Sequence, residues 1–354
     1  MRTVLFAEVP CFYATVEISQ DPSLAGRPVI VGGDPRKRGL VQAASPEALA
    51  RGVEPDTPML EALRLCPDAR ALRTNMALYR GISRQLFACL RRVFPRLESF
   101  GLGGAYFDLG PSPSPPERIA AALADAVRAE LSLPLRIGIA SGKFLARLAA
   151  EESGAAQLRR IPAGAELDFL RPLPVGRLEG VGRKTEAGLA ELGAATIGDV
   201  LALGRERLEE AFGAHGLRIF ALASAEDAVP VRAERHPQSL SREVTLCGEA
   251  LDRGVLTEHL LDLARELEAE LARQGLSAAR VGLKARYADG ETHTRSQTLD
   301  TPLAGAAEIQ ALAVRLLDRT QAGSRPLRGL GVQLGKLAPA AEGERQLPLF
   351  PAGR

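Results

Sequence analysis

Between residues 75 and 150 the apolar period switches repeatedly between that of a helix and that of a strand, and the order of those switches leaves few folds open. "NMALYRGISRQLFACLRRVF" (75–94) carries apolar residues at helical spacing. "FGLGGAYFDL" (100–109) reads as two short strands meeting at a glycine-crowded bend. "PERIAAALADAVRAELSL" is a second amphipathic helix, "LRIGIAS" a strand and "KFLARLAAEES" a third helix. With the leading strand "TVLFA" (3–7), the order is strand, helix, hairpin, helix, strand, helix. That is the split βαβ pattern of a ferredoxin-like sheet with helices on one face.

The segments around this unit are shorter. "FYATVEISQDPSLAG" reads as a helix up to Pro22, and "RPVIVGG" (27–33) as a strand closed by a Gly-Gly turn. "SPEALARGV" (45–53) reads as a capped helix with Ser45 as N-cap, Pro46 in the first helical position and Gly52 at the stop. From about 166 short helices alternate with glycines. From about 238 strands return as "SLSREVTL", "AARVGLKARY", "THTRSQTLD" and "LRGLGVQLGKL", interleaved with helices over 255–274 and 305–320. This is a second βαββαβ-like unit. The Pro/Ala/Gly-rich end, "APAAEGERQLPLFPAGR", is expected to be a flexible tail. At 354 residues the chain should hold two to four domains, so the class is α+β and multidomain.

Composition excludes several functions. Lys and Arg number 45 against 43 Asp and Glu, so any nucleic-acid contact must come from local patches rather than a global field. Cys11, Cys66, Cys89 and Cys247 form no C-x-x-C pair, and four histidines supply no zinc-site spacing. They read as small core residues in a reducing compartment. Glu8 and Pro10 break the first apolar run before it could serve as a signal segment, and no stretch approaches a membrane span. A cytoplasmic protein is expected.

Three motifs bear on function. "LEGVGRKTEAGLAELG" (178–193) has the form of a helix-hairpin-helix: Gly180 and Gly182 let backbone N–H groups approach an anion, and Arg183 and Lys184 at the following helix N-terminus suit a DNA phosphate. The same residues also suit a glycine-rich αα corner. In "ARVGLKARY" (279–287) alternation places Arg280, Lys284 and Arg286 on one strand face and Val281, Leu283 and Tyr287 on the other, either as a phosphate-tracking surface or as a solvated one. "QLPLF" (346–350) presents Gln346, Leu347, Leu349 and Phe350 on the tail, where apolar anchors gain nothing without a groove. By contrast "GIASGK" (138–143) lacks the glycine spacing of a phosphate loop and has Phe144 where a hydroxyl is needed, so it reads as a strand-to-helix turn.

Taken together, "CFYATVE" (11–17), "RPVIVGG" (27–33), "LRLCP" (63–67), "AYFDL" (105–109), "GIASGKFLARLAA" (138–150) and the 178–193 motif resemble the Y-family (DinB/UmuC-like) translesion DNA polymerases over nearly the whole chain. The resemblance implies a right-hand architecture. A ferredoxin-like palm would span 1–10 and 73–165, small fingers 11–72, a helix-hairpin-helix thumb 166–235, a βαββαβ little finger 236–338 and a tail 339–354. "QLPLF" resembles the family's clamp-docking peptide.

The resemblance also locates what is missing. Active members read L-D-E-A-Y where this chain has "LGGAY", and carry Asp where Glu8 stands; those carboxylates hold two magnesium ions. Gly103 and Gly104 supply no ligand, so no intact catalytic or metal site is expected. Asp108 lies about 13 Å along the strand from Gly104 at ~3.3 Å per residue, and Glu98 is displaced similarly on the other side. Pro46 and Leu49 stand where the family grips the triphosphate, and Gly154 where it places a palm lysine. Tyr13 matches the steric gate against a ribose 2′-hydroxyl.

This pattern is similar to the non-catalytic ImuB-like branch. It implies a pseudoenzyme of translesion synthesis and SOS mutagenesis that binds primer–template and the β sliding clamp, together with a RecA-like protein and a separate replicative-type polymerase. Members of that branch often carry a longer C-terminal region than follows "QLPLF" here. The expectations are nucleoid association and no required cofactor. The alternative is a weakly active translesion polymerase with a degenerate site, which would use Mg2+; a third reading binds protein partners only.

Overall fold

The computed structural model describes residues 2–37, 39–110, 114–154, 157–232, 237–250 and 252–340. The chain divides into two compact units, Met1–Glu234 and Arg235–Arg354. The first runs β1 (Val4–Glu8), α1 (Phe12–Gln20), β2 (Val29–Gly32), β3 (Val41–Ala44), α2 (Pro46–Leu49), α3 (Met59–Leu65), β4 (Arg70–Arg73), α4 (Met76–Val93), β5 (Glu98–Phe100), β6 (Gly104–Asp108), α5 (Pro116–Leu131), β7 (Arg136–Ala140), α6 (Lys143–Glu151) and β8 (Leu158–Arg160). Five short helices follow: α7 (Glu166–Leu170), α8 (Arg183–Glu191), α9 (Ile197–Leu203), α10 (Arg205–Phe212) and α11 (Ala214–Ala223).

The main sheet has the order β5-β6-β1-β7-β8, with β1 antiparallel to both neighbours. Its strands differ from the expected one-sided arrangement. Leu5, Ala7, Phe107, Ile137 and Ile139 pack under α4 and α5, while Val4, Phe6, Tyr106 and Ala140 pack against Phe144, Leu145 and Ala149 of α6 on the opposite face. Helices therefore cover both faces. The reason is visible in β1: Val4, Leu5, Phe6 and Ala7 are apolar without alternation, so neither face can be left to water. Gly138 lets α6 approach, since a Cβ there would overlap the Ala146 carbonyl oxygen.

A smaller sheet, β3-β2-β4, pairs β2 antiparallel with β3 and parallel with β4. Ser45 holds the N-cap position of α2 with Pro46 next, as expected, but its side chain makes no cap hydrogen bond. Its buried hydroxyl accepts from Val29 N (3.1 Å) and donates to Arg27 O (3.4 Å), because the strand end, not the helix, holds the unsatisfied groups. The better cap lies at α9, where Thr196 and Asp199 form a reciprocal capping box.

The second unit runs β9 (Ser239–Ala250), α12 (Arg253–Gln274), β10 (Leu276–Tyr287), β11 (Thr292–Leu303), α13 (Ala306–Leu317) and β12 (Leu327–Pro339). Its antiparallel sheet has the order β11-β10-β12-β9. Val281, Leu283, Ala285, Leu330, Val332 and Leu334 face Leu260, Leu267, Ile309 and Leu316 of the two helices. The other sheet face is left exposed.

Candidate nucleic-acid interface and palm site

The hairpin of β5 and β6 turns at residues 101–103, where Gly101 takes φ +59°, a conformation that favours glycine. Val9 N donates to Gly103 O at 2.9 Å, pinning the turn to the end of β1. Strand register then sets one cross-strand row: Phe100 opposite Gly104, Gly104 opposite Glu8, and Glu8 opposite Arg136. Arg136 donates from Nε and Nη2 to Glu8 Oε1 at 2.8 and 2.6 Å, the two side chains being 24% and 17% exposed. Burial pushes the Glu8 carboxyl above its ordinary range, against the opposing pull of Arg136.

The space at the hairpin beside Glu8 is filled. A Cβ at Gly103 would lie 2.7 Å from Phe12 Cδ2, and one at Gly104 3.2 Å from Glu8 Cβ and from Phe6 Cζ. Glu98 and Asp108 are engaged elsewhere. The Glu98 carboxylate accepts from Lys143 Nζ (2.8 Å) and from Arg232 N (2.8 Å), and Asp108 pairs with Arg2 at 3.6 Å. Among the described residues no group of three or more His, Cys, Asp or Glu is placed to hold a metal ion. The donor set does not match a pair of divalent ions, which need several carboxylate or phosphate oxygens in octahedral order.

Beside the hairpin a cleft of about 410 Å3 is lined by Cys11, Phe12, Tyr13, Gln42, Leu49 and Leu102 among others, with no charged side chain among its described lining. Tyr13 stacks on Tyr79 at 4.4 Å between centroids, 12° from parallel, and the Tyr79 hydroxyl donates to Glu17 Oε1 at 2.6 Å. The ring of Tyr13 is thus held against the wall of the cleft. Cys66 and Cys89 are buried as expected; Cys11 departs from that pattern, half-exposed at the cleft, since its left-handed backbone (φ 49°) starts α1 there. Leu49, on α2, is exposed at this cleft.

In the 178–193 motif Gly182 is the N-cap of α8 and Gly180 takes φ +93°. Arg183 and Lys184 are exposed and make no ion pair among the described residues. The segment before the hairpin is a single 3-10 turn, Val175–Arg177, rather than a full helix, since Leu178 returns to extended backbone.

In the second unit Arg280, Lys284 and Arg286 share the exposed face of β10. Two of them are not free. Lys284 Nζ lies 3.1 Å from Glu243 Oε2, and Arg286 pairs with Glu243 Oε1; Arg280 donates to Ser296 Oγ at 3.0 Å. The alternation of β10 predicts the cations but not Glu243, which comes from β9 about forty residues earlier and is brought in only by sheet order. Residues 346–350 lie outside the described residues, as does most of the tail. No helix among the described residues is long and apolar enough to cross a membrane.

Sequence profiles of known families match twice. The impB/mucB/samB family covers residues 8–151, and the impB/mucB/samB family C-terminal domain covers 237–349. The DNA polymerase IV of Alkalilimnicola ehrlichii is 36% identical over 353 residues, 99% of each chain. That of Halorhodospira halophila is 36% identical over 354 residues, again 99% of each, and DNA polymerase IV 1 of Bacillus subtilis is 33% identical over 99% of this chain and 85% of its own. Among solved structures, a Y-family DNA polymerase chimera of Dbh and Dpo4 superposes with a TM-score of 0.82 at 23% identity over 94% of this chain and 98% of its own. DinB from Sulfolobus solfataricus gives 0.70 at 23% over 96% and 100%.

These relatives correct one expectation. That no cofactor is required conflicts with proteins this similar being named DNA polymerase IV, catalysts of a class that normally works with divalent metal. Divalent ions therefore belong in every assay of this chain. Two family profiles and relatives matching from end to end leave one assignment: the chain belongs to the Y-family (DinB/UmuC-like) DNA polymerases.

Proposed function

We propose that this chain acts in translesion synthesis as a primer–template-binding accessory factor whose own palm has lost nucleotidyl transfer. The observation that carries the reading is the row Gly104–Glu8–Arg136, where an arginine engages the Glu8 carboxylate on one side and a glycine is its cross-strand neighbour on the other. Binding rests on other residues. Gly180, Gly182, Arg183 and Lys184 offer backbone N–H groups and positive charge to phosphates, and Arg280, Lys284 and Arg286 line a second surface. Gln346, Leu347, Leu349 and Phe350 would dock in the groove of a β sliding clamp. Two weak contacts on one clamp-loaded template raise occupancy through effective concentration. The domain limits implied by the resemblance, a cytoplasmic nucleoid-associated location, and partnership with a RecA-like protein and a separate replicative-type polymerase belong to the same reading.

A second reading, a feeble translesion polymerase, is favoured by the relatives named DNA polymerase IV. Primer extension by the purified chain with magnesium, then manganese, separates the two. No extension with either ion, alongside salt-sensitive binding of the same primer–template, is the expected result. Template-directed extension that Glu8→Ala abolishes would overturn the accessory reading and make this a working polymerase. Clamp capture that survives deletion of 346–350 would remove the docking role of the tail.

A further inference from the structure

The exposed sheet face of the second unit is built around one side chain that crosses a strand. Strands β9 and β10 are not neighbours; β12 lies between them, so their backbones are roughly 10 Å apart at ~4.8 Å per strand. Glu243 nevertheless reaches from β9 to both Lys284 and Arg286 on β10. It can do so because β12 carries glycine in these two rows: register sets Gly331 beside Glu243 and Lys284, and Gly329 beside Arg286. A Cβ at Gly331 would lie 3.3 Å from Glu243 Cγ, and one at Gly329 3.8 Å from Glu243 Oε1. The glycines form a floor, and the Glu243 carboxylate lies on it between two cations.

Besides Arg280, which donates to Ser296 Oγ, the remaining residues of this face are neutral. Thr292, Thr294, Ser296 and Thr298 edge it on β11, and Ser239, Ser241 and Thr245 on β9. Glu243 is the one carboxylate in these four cross-strand rows. A flat floor with hydroxyl edges and two converging cations fits an anion, and the anion now present is the protein's own.

We infer that Glu243 is an internal stand-in for a DNA phosphate: it holds Lys284 and Arg286 together on the glycine floor and must be displaced before a phosphate can take its place. It therefore limits the affinity of this face for DNA. The pair is exposed enough (36–44%) that breaking it costs little, whereas its negative charge repels an incoming polyanion. The consequence is a face that binds weakly in free solution and engages when something else raises the local concentration of DNA. This rests on the DNA-binding reading above.

The test is fluorescence anisotropy of a labelled primer–template duplex with the full chain across a salt series. Glu243→Gln, which keeps the shape and removes the charge, should bind about five- to twentyfold tighter at low salt, with a salt slope steeper by about one to two counterions. In a Lys284→Gln/Arg286→Gln background the same change should give no more than twofold, since the cations it restrains are gone. Gly331→Ala, which pushes Glu243 off the floor, should give part of the gain. Thermal melts check that each variant is folded. Wild type that binds with salt dependence while Glu243→Gln binds identically would overturn the inference and leave the DNA-binding reading standing. No binding by wild type or by Glu243→Gln would remove both.

Discussion

An arginine meets a carboxylate in each of the two larger sheets, and the surroundings differ. In the main sheet Glu8 and Arg136 sit on adjacent strands, mostly buried, with Glu8 beside the hairpin residue Gly104. In the second unit Glu243 crosses the glycines of β12 to reach Lys284 and Arg286 at the surface. The first pair is fixed, because separating it leaves a charge in a poor dielectric. The second is exchangeable, because water and salt compensate either partner. The same chemistry closes one site and tunes the other.

That contrast can be broken most forcefully at the buried pair. Arg136→Met should destabilise the first unit by about 2 kcal/mol, because it leaves the Glu8 carboxylate without its partner, and urea denaturation would read it. Glu243→Gln should change stability by under about 0.5 kcal/mol in the same assay. Equal costs at the two sites would end the comparison.

Introducing acids at the hairpin is expected to cost nearly as much. Gly103→Asp/Gly104→Glu should lose about 1–3 kcal/mol, since both new Cβ atoms meet occupied space at Phe12 and Phe6. Rescue of primer extension by this double variant therefore needs its melt measured beside its activity. Smaller again, Arg183→Gln/Lys184→Gln should weaken duplex binding about three- to tenfold and flatten the salt slope by about two, with no change in melting temperature.

The smallest effect is a pH slope. The folded Glu8 carboxyl titrates above its ordinary value of 4.5, chiefly through burial, so the folded chain holds that proton more tightly than the unfolded one. Its contribution to stability is greatest below 4.5 and is lost as pH rises through the raised folded value. Glu8→Gln should flatten that part of the stability curve, read by denaturation at several mildly acidic pH values. A slope unchanged by the substitution would mean that Arg136 cancels the effect of burial, and a slope changed in the opposite sense that it outweighs it.

Much of the fold was legible because the periods are long and clean. The helices of 75–94 and 255–274, the hairpin at 100–109 and the inward set Val281, Leu283 and Tyr287 follow from spacing alone. The covering of both faces of the main sheet was not read from the pattern, although the unbroken run Val4–Ala7 carried the signal. Ser45 takes the N-cap position that a serine before a proline suits, and only the neighbouring strand end shows which backbone group needed its hydroxyl more.

The site divides in the same way. Sequence alone determined that Gly103 and Gly104 offer no ligand, that Arg183 and Lys184 start a helix after a glycine turn, and that three cations share one face of β10, because residue type and local period settle these points. Only the tertiary structure decided that Arg136 lies across from Glu8 and that Glu243 lies between Lys284 and Arg286. Both partnerships depend on which strands neighbour which. Strand order is set by how the whole sheet buries its apolar faces, a property of no single segment.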